Sequence, residues 1–140
     1  MSRHALGQWL FIAGTILGVA GNGPRALGED ALSDFMKVKL IHAQKTLEGL
    51  ATADYDAIAK HSQAINLLCE DEKWAVVKSL EYHERTREFQ RSVYAITEAA
   101  RQKNLEAATV AYVDATLKCV SCHNYMRKTK SGQPPGGPGR

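Results

Sequence analysis

The chain has 140 residues, 24% of them charged, with a formal net charge of +3 and three cysteines. That length fits one domain, and three cysteines are too few for a disulfide scaffold. The basic excess would suggest a nucleic acid or an acidic membrane as partner, but its placement along the chain removes that suggestion.

Met1-Ser-Arg-His4 is a short basic start, followed by the apolar run from Leu6 to Ala20 and the small-residue stretch Ala26-Leu27-Gly28. This order is that of a secretory signal peptide covering residues 1–28, which predicts export. The apolar run is broken by glycine and falls short of the roughly 20 residues a membrane span needs, so an uncleaved anchor is the less favoured alternative. No cysteine adjoins the cleavage point, so lipid attachment there has no support. Cleavage takes away Arg3 and Arg25 and no acidic residue, leaving the mature chain close to neutral and excluding nucleic acid as an expected partner.

Between Glu29 and Lys130 there is no proline and a single glycine, Gly49. The spacing predicts a first helix over residues 30–48, with Met36, Leu40, Ala43, Leu47 and Leu50 on one stripe. Gly49 is expected to end it, and Thr52 or Asp54 to cap the next helix. That second helix, over residues 53–70, aligns Ile58, Ser62, Ile65 and Cys69. Residues 71–79 form the one longer connection, with Trp74, Val76 and Val77 packed down. The third helix begins near Leu80 and shows Tyr82, Thr86, Phe89, Val93, Ile96 and Ala100 on one face. Asn104 caps the fourth, whose inward face reads Leu105, Ala108, Tyr112, Ala115, Cys119, Cys122 and Met126. Four amphipathic helices with short links predict an all-α fold, an antiparallel up-down-up-down four-helix bundle over residues 29–130. The Gly/Pro-rich stretch 131–140 has nothing to bury and reads as a disordered tail.

The chemistry lies in Lys118-Cys119-Val120-Ser121-Cys122-His123. Two thiols at this spacing can form thioethers with the two vinyl groups of a haem, and the adjacent histidine supplies an imidazole to iron. A thioredoxin-like dithiol would need a strand before the motif and a helix starting at its first cysteine; a zinc site would need four ligands. Neither pattern is present, so the motif predicts one covalently attached haem c per chain, with His123 as the proximal ligand.

In an up-down bundle, the end of the fourth helix lies level with the starts of the first and third and the end of the second. The expected neighbourhood is therefore Leu32, Phe35, Met36 and Leu40, then Leu68 and Cys69, then Trp74, Tyr82 and His83. Met36 is either the sixth iron ligand, which would favour the reduced metal, or a gap-filler against the porphyrin. Without that ligation, Leu40 and Phe35 leave an apolar roof over an open iron position. His83 adjoins an inward position and should point sideways; His42 and His61 read as surface residues. Arg127, four residues after His123, can pair with a propionate or answer the helix dipole alone. Cys69 reads as a small buried hydrophobe, with pairing between chains as the alternative.

The attachment motif near the end of the fourth helix, followed by Arg127, resembles the class II c-type cytochromes, the cytochrome c prime family. The stretches 35–49 and 81–89 are similar to a low-spin subgroup from planctomycete-like bacteria. The resemblance covers residues 29–130 and implies a periplasmic haem protein of one of two kinds. One is a low-spin electron carrier with a methionine from early helix 1 as sixth ligand, a place Met36 resembles. The other is a five-coordinate, high-spin protein that binds nitric oxide or carbon monoxide, often as a homodimer through helices 1 and 2. This chain departs from the family in offering Lys37 and Lys39 where better-known members carry an arginine. The leading expectation is one-electron transfer between periplasmic or membrane-associated redox proteins, with gas binding as the alternative. No acid/base set for peroxidase chemistry appears beside Met36, so an enzyme is not expected.

Overall fold

Two links of nearly identical construction set the topology. In a computed structural model, the chain forms α1 (Leu27–Thr52), α2 (Tyr55–Glu72), α3 (Leu80–Arg101) and α4 (Leu105–Lys130). The structure describes residues 27–72 and 79–132, with side chains described for 32–70 and 79–132. Residues 1–26 of the leading segment, residues 133–140 of the tail, and Trp74, Val76 and Val77 lie outside the described residues.

At the end of α1, Asp54 N–H donates to the Gly49 carbonyl at 2.9 Å and Ala53 N–H to the Leu50 carbonyl at 3.4 Å. Ala53 takes φ 55°. This is a Schellman closure, which satisfies carbonyls that the helix end leaves open. Asp54 then starts α2, its Oδ1 accepting from Ala57 N–H at 3.0 Å. The α3–α4 link repeats the plan. Asn104 N–H donates to the Ala99 carbonyl and Lys103 N–H to the Ala100 carbonyl, both at 2.9 Å, with Lys103 at φ 54°. Asn104 Oδ1 accepts from Ala107 N–H at 2.9 Å. In each link one residue both closes a helix and opens the next, and the helices so joined, α1 with α2 and α3 with α4, pack along each other.

The result is an all-α four-helix bundle. Helix α1 packs along α2, α2 along α3 and α3 along α4, whereas α1 and α4 touch at few points. Ile58, Ile65, Cys69, Val93, Ile96, Ala100, Ala108 and Ala115 fill the core. The expected α2 stripe of Ile58, Ser62, Ile65 and Cys69 is buried throughout. Ser62 is buried because it is satisfied: Ser62 Oγ and Thr97 Oγ1 bond across the α2–α3 interface at 2.7 Å, and Ser62 also donates to the Ile58 carbonyl.

Helix α1 departs from expectation in two places. It runs through Gly49 to Thr52, and Gly49 marks a close approach, since a Cβ there would lie 3.0 Å from Ile58 Cγ1 and 3.1 Å from Ile58 N. Leu47 is 52% exposed, while its neighbour Thr46 is fully buried. Thr46 donates its hydroxyl to the His42 carbonyl and enters the core satisfied, whereas Leu47 stays outside it. Among the described residues, no helix is long and apolar enough to cross a membrane.

Candidate functional site

The sparse α1–α4 seam opens on a cavity of about 890 Å³, a volume that includes the open space at its mouth. A concave, mostly apolar cavity with a few converging polar groups is the usual form of a cofactor site. Helix α4 contributes Cys119, Cys122 and His123, α1 contributes Met36 and Leu40, and α3 contributes Tyr82. Cys119, Cys122, His123, Met36, Leu40 and Tyr82, all expected at one site from sequence, therefore line one cavity. They meet because the up-down topology sets the last turns of α4 beside the early turns of α1 and α3.

Phe35 and Arg127 stand outside the lining. Phe35 is half-buried one residue off the cavity-facing line of α1. Arg127 donates to Asn124 Oδ1 on its own helix. From α2 the cavity takes Ile65; Leu68 and Cys69 do not line it. His83 packs edge-on against Tyr82, at 6.1 Å between ring centres, and also stays outside.

The floor and walls are apolar: Ile65, Phe89, Val93, Ile96, Ala43 and Ala115. Into this lining come three cations that the helical periodicity did not mark, Lys39, Arg85 and Lys118. Lys39 lays its ammonium 5.8 Å from the centre of the Phe89 ring, so its stem lies along the apolar wall. Arg85 is fixed by Glu81 at 2.6 Å, by Ser121 Oγ at 2.8 Å, and by stacking 4.9 Å above the Tyr125 ring. Its Nε is the one buried side-chain nitrogen or oxygen among the described residues without a hydrogen-bond partner. Lys118 lies 3.8 Å from Glu88.

Cys119 is half-buried, as is Cys122, and His123 is exposed at the mouth. Burial pushes the Cys119 thiol up and Cys122 adds to that, while the Lys39 ammonium pulls it down. A raised thiol is the less reactive kind. Among the described residues, no three histidines, cysteines or carboxylates cluster as a metal site. In comparisons with known proteins, no family model, no curated protein and no solved structure matches this chain.

His42 and His61 correct the surface reading. They face each other across α1 and α2 with Nδ1 atoms 2.9 Å apart and ring centres 5.2 Å apart, both half-buried. Neither histidine is among the residues that line the cavity. Sequence periodicity identifies the face of one helix but carries no register between two, so this contact had no local signal.

Proposed function

We propose that the protein is a c-type cytochrome, one haem per chain, that carries single electrons between periplasmic or membrane-associated redox proteins. One observation carries the reading: Cys119, Cys122 and His123 share an apolar cavity with Met36, which arrives from a different helix. The residues fit the group chemically. Each cysteine can add its S–H across one vinyl group, sulfur bonding one carbon and hydrogen the other. His123 offers an imidazole from α4 and Met36 a thioether from α1, a donor pair that favours reduced iron. Lys39, Arg85 and Lys118 give an apolar cavity the positive charge that two propionates require.

The haem supplies a one-electron iron couple when bound. The chain's own part is to keep water from it with Phe89, Val93 and Ile96, and to hold a fixed ligand pair so that little rearranges between oxidation states. The resemblance to the class II cytochromes agrees with this arrangement, including the position of Met36.

The test is the absorption spectrum of the purified exported protein, read with its intact mass. Sharp low-spin bands in the reduced protein and a mass increased by one haem are expected. Met36→Ala should keep the haem and lose the low-spin signature. A high-spin spectrum in the unsubstituted protein, with a rapid change on adding nitric oxide, would instead select the five-coordinate gas-binding alternative. Absence of haem altogether would sink both.

A further inference from the structure

Helix α4 has a second apolar face. Val110, Val113, Leu117 and Val120 are 70%, 54%, 61% and 51% exposed. They are spaced three, four and three residues apart, which places them on one stripe. The buried face of the same helix carries Ala108 and Ala115. At 100° per residue the stripe sits about half a turn from that buried face, pointing away from the bundle. Contiguous apolar surface of this kind marks an interaction site more often than chance exposure does.

The charge along α4 selects the occupant. From Leu105 to Leu117 the helix carries Glu106 and Asp114 and no basic residue; from Lys118 to Lys130 it carries Lys118, Arg127, Lys128 and Lys130 and no acidic one. Asp114 is engaged by Ser92 and Lys118 lies beside Glu88, so both belong to the α3 side. Glu106 at one end and Lys128 at the other are left to flank the stripe, with Arg127, which donates to Asn124 on its own helix, in the same turn as Lys128.

We infer that α4 pairs antiparallel with α4 of a second copy of this chain, about a twofold axis near Ala115. Val113 then faces Leu117, Val110 faces Val120, and Glu106 reaches the turn that carries Arg127 and Lys128. Every contact occurs twice, as a closed twofold interface requires. The three-four spacing is that of a helix-pairing seam, with flanking charges setting orientation. A parallel arrangement would set the two basic ends side by side. An acidic protein partner would be attracted at the basic end and repelled by Glu106 at the other, so a second copy satisfies the whole stripe and a generally acidic partner only half of it. One helix face is smaller than the roughly 800 Å² per partner of a standard interface, so the dimer should dissociate on dilution.

The test is sedimentation velocity on the exported protein over a roughly hundredfold range of concentration. The mass should rise from one chain to two. Leu117→Glu, at an exposed position, should leave the helical circular dichroism unchanged and hold the protein at one chain throughout. Glu106→Lys should raise the dissociation constant about tenfold or more, and adding Arg127→Glu and Lys128→Glu should restore pairing. Ile41→Glu, on the exposed face of α1, should change nothing. A single chain at every concentration overturns the inference, and so does a dimer that survives Leu117→Glu. None of these readings depends on haem, so they stand apart from the spectroscopic test.

Discussion

The hydroxyl of Tyr112 donates to the main-chain carbonyl of Ala43 at 3.1 Å, tying α4 to α1 beneath the cavity. Helices α1 and α4 otherwise meet at few points, so this bond is a principal fastening of the seam. Burial, and then the nearby Cys119, pushes the Tyr112 phenol up, which keeps it a donor at any ordinary pH. Ala43 keeps its place in the α1 hydrogen-bond ladder without Tyr112, so losing the hydroxyl leaves no orphaned group. Tyr112→Phe should therefore cost only about 0.5–1 kcal/mol in urea unfolding. Its larger effect should be faster amide exchange along the α4-facing side of α1, with α2 and α3 unchanged.

Ala53 and Lys103 adopt left-handed φ values of 55° and 54° at positions where helix ends favour glycine. An L side chain there is strained, and glycine relieves the strain while losing some entropy in the unfolded chain. Ala53→Gly and Lys103→Gly should each stabilise the bundle by roughly 0.5–1 kcal/mol. The two sites lie in different links, so their effects should add. Thermal unfolding of the single and double variants checks both the sign and the additivity.

The His42–His61 pair predicts a pH dependence of stability. Partial burial, then His42, then Lys60 and Lys45 push His61 below its ordinary value near 6.5, against a smaller pull upward from Glu48. Glu48 is itself paired with Lys45 at 2.7 Å. A lowered folded-state value means that the unfolded chain holds more protons in the window between the two values. Stability from this site is then fully present above about pH 6.5 and drains away as the pH falls through the folded value. The imidazole bond also needs at least one neutral ring. Urea midpoints measured downward from pH 7.5 should fall more steeply for the unsubstituted protein than for His61→Gln, and parallel curves would refute the assignment.

The bundle was legible because its helices are long, nearly free of proline and glycine, and patterned on one face. The α2 stripe could be read residue by residue, and in the last turns of α4 Cys119, Cys122 and His123 could, though Arg127 turned to Asn124 instead. Leu47 shows where periodicity fails: it favours the more apolar of two adjacent residues, whereas Thr46 enters the core by returning its hydroxyl to its own helix. Gly49 reads locally as a helix stop, yet its smallness serves Ile58 on the next helix. Lys39, Arg85 and Lys118 carry no periodic signal because long cationic side chains reach a cavity from positions whose backbone faces sideways. The outer stripe of α4 was hidden by the inner one, since a helix with two apolar faces shows no clear single period.

The weak seam between α1 and α4 also bears on how a bulky guest would enter. Three helix pairs are packed along their lengths, and the fourth meets at few points, among them the bond from Tyr112 to Ala43. The bundle is therefore built as a clasp. Loss of the bond between Tyr112 and Ala43 should loosen α1 from α4 beside Cys119, while the packing of α2 on α3, with Ser62 bonded to Thr97, is left as it is.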